Sequence, residues 1–280
     1  MILDGKMVAK KISDELRKKV AGFSRPPGLA FVLVGNNPAS KTFVAMKKKK
    51  CVEIGIASMD KEFPESATEK EVLAHIEKLN HDSRVDGILV QLPLPAHISA
   101  AKVTETVLPE KDVDGFHPLN IGRTLLGEPY GFLPCTPRGI HELLLAYKIP
   151  IEGKHVVILG RSNIVGKPLA AILMQKKPGC NATVTVAHTL TSNIREIARL
   201  GDILVAAMGR PHFVTKEMVK PGAVVVDVGI NRVGGKIVGD VDFESVAPLC
   251  SHITPVPGGV GPMTIVMLMA NTILSFEKRC

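Results

Sequence analysis

Short apolar runs alternate with helical segments along most of this 280-residue chain, and this alternation limits the possible folds more than any other feature. Residues 28–35 read GLAFVLVG, a continuous apolar run that ends in glycine, and a helical stretch over residues 40–54 follows it. Residues 85–95, VDGILVQLPLP, form a further apolar run that two prolines terminate. Uninterrupted apolar strands are typical of parallel sheets that helices cover on both faces. The pattern therefore predicts an α/β fold with right-handed crossovers.

The second half of the chain repeats this alternation. Its expected strands are KHVVILG, ATVTVAH, DILVAAMG and AVVVDVGI. Between the two halves, residues 108–131 are rich in turn residues and have little periodicity, so we interpret them as a loop and a domain crossing. We predict two α/β domains flanking a cleft. The first covers residues 1–121 and is joined by a C-terminal helix, 264–280, and the second, 122–263, is a Rossmann-like parallel-sheet dinucleotide-binding domain.

Two helix starts can be predicted from local signals. Ser66 stands three residues before Glu69, which is the spacing of a capping box. Thr136 precedes Pro137, and this pair is typical of an N-cap followed by the first helical residue.

Composition excludes some classes of function and leaves others open. The formal charge of +8 indicates an anionic partner, and phosphorylated cofactors or polycarboxylates satisfy this as well as nucleic acid does. Aromatic residues make up only 4% of the chain, which weakens any model of base stacking. The five cysteines are scattered, which indicates reduced thiols in a cytoplasmic protein, and no metal-ligand spacing is evident. We find no signal-peptide pattern and no apolar run of about 18 residues, so we expect no membrane association.

Lys47 begins a run of four lysines but differs from its neighbours in helical position. On a helix over residues 40–54, at about 100° per residue, Lys47 lies at the centre of an otherwise largely apolar stripe. The other members of this stripe are Ser40, Phe43, Val44, Cys51 and Ile54. Lys48 and Lys49 point away from it and are expected to be solvated. Lys47 itself either extends past its neighbours to water or is held in a partly desolvated cleft, available for proton transfer.

Residues 155–168, HVVILGRSNIVGKP, combine a strand, a glycine turn and a helix start. The turn contains Gly160 and Gly166 and does not match GxGxxG. Arg161 and Ser162 supply a cationic fork and a hydroxyl, both suited to a phosphate.

The next strand favours one dinucleotide over another. It ends at His188 and Thr189, where NAD-binding folds usually carry an acidic residue that accepts from the ribose 2′-hydroxyl. Because that carboxylate is absent and Arg161 is present, NADP is favoured over NAD.

Six sequence blocks, in order, resemble those of methylenetetrahydrofolate dehydrogenase/cyclohydrolase enzymes. They are SKTFVAMK, VDGILVQLPLP, PEKDVDG, PCTPRG, GRSNIVGKP and TPVPGGVGPMT. The resemblance extends from about residue 2 to residue 275. It implies oxidation of 5,10-methylenetetrahydrofolate by NADP, hydrolysis of the methenyl product to 10-formyltetrahydrofolate, and a homodimer.

The resemblance also implies roles for individual residues. Lys47 would be the general base and acid of water addition, Gln91 would set its protonation state, and Asp114 would contact the pterin ring, whereas Asp112 is interpreted as structural. The implied substrate-binding residues are Ser40, Phe43, Lys47, Val90, Gln91, Leu92, Asp114, Pro257 and Gly261. The implied cofactor-binding residues are Gly160, Arg161, Ser162, Thr189 and, near the nicotinamide, Ile230.

The chain departs from the family motif at Phe43, where the family has tyrosine three residues after the serine. The missing hydroxyl could orient the lysine or the folate, so we expect dehydrogenase activity to persist and cyclohydrolase activity to be weakened. An enzyme with dehydrogenase activity alone is the first alternative. A dehydrogenase of a small acid would leave the first-half motifs unexplained. A nucleic-acid-binding module fits the positive charge, but no helix-turn-helix or RNP pattern supports it.

Overall fold

The structure is a computed structural model that describes residues 1–279, and it confirms the predicted α/β class with parallel sheets. The chain forms two compact units, neither of which is continuous in sequence. The five-stranded unit consists of Met1–Lys10, Leu125–Gly127 and Thr136–Thr264. The three-stranded unit consists of Lys11–Thr124, Glu128–Cys135 and the chain from Ile265 onward. The predicted division near residue 121 thus differs from these units, above all for the first ten residues.

The first 126 residues contain a three-stranded parallel sheet of order β2-β1-β3. Their elements are α1 (Gly5–Val20), β1 (Gly28–Val34), α2 (Pro38–Ile54), β2 (Ala57–Phe63), α3 (Glu69–His81), β3 (Gly87–Val90), α4 (Ala100–Thr106) and α5 (Pro118–Leu126). All seven residues of β1 are buried, as expected of a central strand covered on both faces. Since β2 and β3 lie on opposite sides of β1, the strand order reverses between β1 and β3, which is where open α/β sheets bind ligands.

Helix α2 has clear start and stop signals. The Asn37 side chain accepts hydrogen bonds from the backbone amides of residues 39 and 40, Pro38 occupies the first turn, and Gly55 ends the helix with φ of 94°. Its buried residues are Ser40, Val44, Lys47, Cys51 and Ile54. The predicted stripe is confirmed, except that Phe43 is only half-buried.

Helix α3 begins two residues later than the predicted capping box. Thr68 is the N-cap, and it exchanges hydrogen bonds with Glu71. Glu69, the predicted partner of Ser66, instead accepts from the Ser99 amide and from Lys102. The prediction was wrong because a carboxylate already bound to a neighbouring segment is not available to the Ser66 amide.

The interpretation of residues 108–131 as loop was also wrong in part, since it contains α5. Helix α5 starts with Pro118, and its buried residues Asn120 and Thr124 stand four apart on one face. Polar residues at helical spacing gave no hydrophobic period to detect.

The remaining residues form a five-stranded, all-parallel sheet of order β10-β7-β6-β4-β5. The elements are α6 (Cys135–Ala146), β4 (His155–Leu159), α7 (Gly166–Leu173), β5 (Thr183–Ala187), α8 (Ile194–Arg199), β6 (Ile203–Ala206), β7 (Val224–Asp227), β8 (Asn231–Val233), β9 (Lys236–Val238), α9 (Phe243–Val246), β10 (His252–Ile253) and α10 (Val260–Arg279). The four predicted strands of this half are confirmed as β4 to β7. Helix α6 begins one residue before the predicted N-cap, Thr136. The strand order reverses between β4 and β6, which marks a second ligand-binding edge.

Helix α10 is the last element of the described chain. It is long and apolar enough to cross a membrane, but 67% of its apolar window is buried inside the protein. That burial is typical of a core helix. Among residues 1–279, no group of three or more histidine, cysteine, aspartate or glutamate side chains could hold a metal ion.

Candidate active site

Lys47 and Gln91 meet at the point where β3 ends in the three-stranded unit. Lys47 is only 8% exposed, and its Nζ donates to Gln91 Oε1 over 3.1 Å. The Gln91 amide is held in turn, because its backbone N–H donates to Val32 O over 2.9 Å and its Nε2 donates to Leu92 O over 2.6 Å. The Gln91 oxygen therefore faces the lysine Nζ, and Lys47 lies buried against it and does not extend to water.

The rest of the lysine run lies outside this site, as predicted for Lys48 and Lys49. Lys48 pairs with Asp60, Lys50 pairs with Glu53, and Lys49 is exposed.

Asp114 reaches the same edge of the sheet through a short bridge. Asp112 pairs with Ile88 of β3, and Asp114 follows two residues later. Burial raises the pKa of the Asp114 carboxyl, while the Lys47 ammonium and the Cys135 thiol act in the opposite direction. The charge of Lys47 thus acts on Asp114 as well as on Gln91, which places the three predicted catalytic residues in one electrostatic environment.

Asp112 organises the loop around Asp114. Its carboxylate accepts from the amides of Gly115, Phe116 and His117 and from Asn120 Nδ2, at distances of 2.8 to 3.2 Å. Burial raises the pKa of Asp112 to about 7, and these donors oppose that shift. These four donors support the interpretation of Asp112 as structural.

The remaining predicted folate residues of this unit lie on α2 and at the end of β3. Ser40 is buried in the first turn of α2, and Phe43 is half-buried one turn before Lys47. Val90 and Leu92 flank Gln91 and line a small recess beside β3. Asp112, Asp114 and Phe116 complete the polar side and rim of this recess.

Cys135 and Phe116 are site residues that sequence reasoning missed. The Cys135 thiol is buried, with Sγ 3.3 Å from Val113 O, and its hydrogen bond to the Asp114 carboxylate lowers the pKa of that carboxyl. PCTP and KDVDG are close in space but far apart in sequence, so no local sequence signal indicated the contact between Cys135 and Asp114.

The five-stranded unit contains the predicted glycine turn after β4. Gly160 has φ of +127°, and a Cβ there would lie 2.2 Å from Ala207 O. A Cβ at Gly166 would lie 2.0 Å from Gly160 O. Both positions therefore require glycine. The Ser162 hydroxyl oxygen accepts from the amides of Val165 and Gly166, which leaves its proton available to an anion.

The other predicted cofactor residues follow strands of the same parallel sheet. Arg161 follows Gly160, Thr189 lies just after β5, and Ile230 lies just after β7, and all three are exposed. Because parallel strands end at one edge, these residues and Gly160 share that edge. Residues 188–190, which follow the end of β5 at Ala187, are histidine, threonine and leucine.

Pro257 and Gly261 follow β10 in the five-stranded unit. Gly261 lies in the first turn of α10, which starts at Val260, earlier than predicted. Apart from the neighbouring residues and the helix backbone, no atom of residues 1–279 lies within 4 Å of the position that a Gly261 Cβ would take, so the space beside this turn is open.

Comparison with known proteins identifies two matching family models. The model for the catalytic domain of tetrahydrofolate dehydrogenase/cyclohydrolase matches residues 3–114, and the model for the NAD(P)-binding domain of the same family matches residues 134–280. The bifunctional protein FolD of Protochlamydia amoebophila is 53% identical over 286 residues, which cover 99% of this chain and 98% of that protein.

Two solved structures are similar over nearly the whole chain. The bifunctional FolD enzyme of Campylobacter jejuni has 50% identity and a TM-score of 0.96, and the match covers 100% of this chain and 99% of that one. The Trypanosoma brucei methylenetetrahydrofolate dehydrogenase-cyclohydrolase, solved with NADP and an inhibitor, has 38% identity and a TM-score of 0.94, with 99% and 97% of the chains covered.

Proposed function

The chain belongs to the tetrahydrofolate dehydrogenase/cyclohydrolase family, and from this premise we propose how its residues carry out the two reactions. It is a bifunctional enzyme that oxidises 5,10-methylenetetrahydrofolate to 5,10-methenyltetrahydrofolate with NADP and hydrolyses that product to 10-formyltetrahydrofolate. An enzyme with dehydrogenase activity alone is not favoured, because the FolD relatives at about 50% identity over nearly the full length are bifunctional.

The folate binds in the three-stranded unit. The Asp114 carboxylate accepts two parallel N–H bonds from the 2-amino-4-oxo ring of the pterin. Val90 and Leu92 contact the apolar parts of the substrate, and Ser40 and Phe43 contact it from α2. The family resemblance adds Pro257 and Gly261 as substrate contacts.

The cofactor binds in the five-stranded unit. Gly160 allows close approach of the backbone, Arg161 and Ser162 hold a phosphate, Thr189 contacts the ribose end, and Ile230 contacts the nicotinamide end. Two observations support NADP. A side chain at Gly160 or Gly166 would clash with the neighbouring backbone, so the turn after β4 has no side chain at either position. No acidic residue stands at 188–190, after β5, which favours NADP over NAD. NADP supplies the hydride acceptor when bound, so the protein's task is to hold the reacting rings in position.

Lys47 performs the proton transfers of the hydrolysis. Water adds to the methenyl carbon and forms the new C–O bond, and Lys47 takes up a proton from it. The bond from that carbon to N5 then breaks, N5 receives a proton, and one further proton leaves to solvent. Gln91 holds the lysine amine at the reacting carbon. The observation that carries this proposal is the contact between Gln91 and a lysine that is only 8% exposed.

We further propose a homodimer in the cytoplasm that binds neither membrane nor nucleic acid. The net charge of +8 finds its partners in the folate carboxylates and the NADP phosphates. Binding to DNA that persists at moderate salt would contradict the proposal that the protein does not bind nucleic acid.

The test follows NADPH and methenyltetrahydrofolate together after the purified protein is mixed with 5,10-methylenetetrahydrofolate and NADP. We expect NADPH to form without lasting methenyl accumulation, once spontaneous hydrolysis is subtracted. Accumulation of the methenyl product would mean that the hydrolysis is impaired, with Phe43 as the first suspect. Failure to reduce either NADP or NAD would overturn the proposal.

A further inference from the structure

Asp240 is a buried carboxylate with no part in the reactions derived above. It is 0% exposed and follows the β8–β9 hairpin. Its Oδ2 accepts from the amides of Met208 and Gly209 over 2.6 and 2.8 Å, and its Oδ1 accepts from Asn231 Nδ2 over 2.8 Å. Three donors converge on one carboxylate that has no cationic partner within the described part of the chain.

These donors belong to two different ligand-edge segments. Met208 and Gly209 follow β6, and Asn231 follows Ile230, the residue proposed to contact the nicotinamide. The β6 segment also abuts the glycine turn, because Ala207 N donates to Leu159 O over 2.8 Å. Asp240 thus adds a direct side-chain connection between the segment beside the phosphate turn and the segment that carries Ile230, beside the backbone bond from Val228 N to Ala206 O.

Asp240 is itself fixed by a second buried carboxylate. Asp227, the last residue of β7, accepts from the amides of Asp240, Val241 and Gly229, each over 2.9 Å. A Cβ at Gly229 would lie 2.3 Å from Asp240 Oδ1 and one at Gly239 would lie 1.8 Å from Asp227 Oδ2. The packing leaves the two carboxylates little room to move.

We propose that Asp240 is a positioning residue for hydride transfer, which keeps Ile230 and the β6 segment at the separation that the nicotinamide requires. This inference rests on the proposed function, because it uses NADP and the assignment of Ile230. Loss of the carboxylate leaves the Met208 and Gly209 amides without their acceptor. A displacement of about 1 Å at a ligand contact can cost on the order of 100-fold in rate.

The test compares Asp240→Ala with Asp240→Asn and with the control Asp242→Ala. Asp242 lies two residues away, and its side chain makes no capping hydrogen bond. For each variant, kcat and the KM for NADP are measured for the dehydrogenase, and hydrolysis is measured separately with methenyltetrahydrofolate supplied and no NADP. We expect Asp240→Ala to lower dehydrogenase kcat/KM by roughly 100-fold while hydrolysis stays within about twofold. Asp240→Asn should recover part of the loss. The oxygen of the new side chain can still accept from the amides of Met208 and Gly209, and the Asn231 amide can turn so that its oxygen accepts from the new side-chain nitrogen.

Two results would overturn the inference: dehydrogenase kinetics of Asp240→Ala equal to those of Asp242→Ala, or a parallel fall of both activities with no recovery in Asp240→Asn. If Asp240→Ala does not fold, Asn231→Ala decides, because it removes only one of the three bonds. That variant must then impair the dehydrogenase selectively, and unchanged kinetics would contradict the inference. A wild-type protein that reduces no NADP would instead refute the proposed function, so the two failures are distinguishable.

Discussion

Lys47 differs from the three lysines that follow it only in where a helical turn places its side chain. The period of α2 puts it on the buried face with Val44 and Cys51, and the end of β3 supplies its acceptor, Gln91. The position of Lys47 on that face could be predicted from sequence, because it depends on local spacing. The approach of Gln91 depends on the pairing of strands far apart in the chain, so only the family resemblance indicated it.

Replacement of this lysine should separate the two activities. We expect Lys47→Met to lower methenyl hydrolysis by about 10²- to 10⁴-fold, because general acid–base catalysis contributes factors of that size. Folate binding and NADP reduction should persist, since methionine preserves the length of the buried chain. Lys49→Met, on the exposed face of the same helix, is the control. Normal hydrolysis by Lys47→Met, measured by loss of methenyl absorbance, would refute the assignment.

Phe43 gives a second prediction at this scale. Its ring is half-buried one turn before Lys47 and lacks the hydroxyl of the family motif. Phe43→Tyr should raise the hydrolysis rate by about two- to tenfold, the equivalent of one neutral hydrogen bond of about 0.5–1.5 kcal/mol. Dehydrogenase activity should change less. If neither rate changes in steady-state assays, position 43 does not influence the lysine or the folate.

The start of α3 shows how two overlapping sequence signals compete within one element. Ser66 and Thr68 each precede a glutamate by three residues, so the sequence contains two possible capping boxes. The structure uses Thr68 with Glu71, because Glu69 binds Ser99 and Lys102. The existence of the helix was predictable from its apolar period, whereas its first residue depended on contacts with a distant segment.

This choice can be tested by stability. Thr68→Ala should lower the free energy of unfolding by about 1 kcal/mol, the usual cost of losing an N-cap side chain. Ser66→Ala is the matched control and should change it by less than about 0.5 kcal/mol. Chemical denaturation provides the measurement. Equal losses in the two variants would mean that the helix start is not held by Thr68 alone.

Lys111 links α3 to the loop that carries Asp112 and Asp114. It is 2% exposed, and its Nζ donates to the carbonyls of Leu79 and Asp82 over 2.8 and 2.9 Å. Burial, assisted by the charge of Arg279, lowers its pKa from 10.5 to about 8. Between these values the unfolded chain binds more protons than the folded one, so this group makes folding stability rise with pH.

The corresponding experiment is the difference in unfolding free energy between wild type and Lys111→Met. That difference should grow in favour of wild type from pH 8 to about 10.5, the window set by the folded and unfolded pKa values. A difference that is constant over this range would contradict the lowered pKa of Lys111.

At the scale of the whole molecule, each sheet carries proposed ligand residues just after the carboxyl ends of its parallel strands. Gln91 follows β3 in one sheet, and Gly160 and Ile230 follow β4 and β7 in the other. The sheets were predictable because parallel strands read as apolar runs. The buried pair of Asp227 and Asp240 was not, because charged residues inside a fold carry no periodic signal.

The proposed cofactor residues and the proposed folate residues lie in different parts of the sequence, so replacing a cofactor residue should change cofactor preference without changing hydrolysis. Arg161→Ala should raise the KM for NADP by tenfold or more, since a charge-assisted hydrogen bond contributes about 1.5–3 kcal/mol, with little change for NAD. Hydrolysis of added methenyltetrahydrofolate should not change. Arg199→Ala, an exposed arginine on α8, is the control. Equal losses with NADP and NAD would show that Arg161 does not contact the 2′-phosphate.

The discontinuous course of the chain through its two units also constrains how the protein is made on the ribosome. The N-terminal residues hydrogen-bond to β10, the edge strand of the five-stranded sheet, since Leu3 N donates to Ile253 O over 2.8 Å. Asn271 in α10 donates to the carbonyls of Val113 and Leu133 over 2.8 and 3.0 Å. Neither unit can therefore be completed during translation until residues beyond 250 have left the exit tunnel. Nascent chains stalled before that point should be substrates for chaperones, and a message cut between the two units would not yield two folded halves.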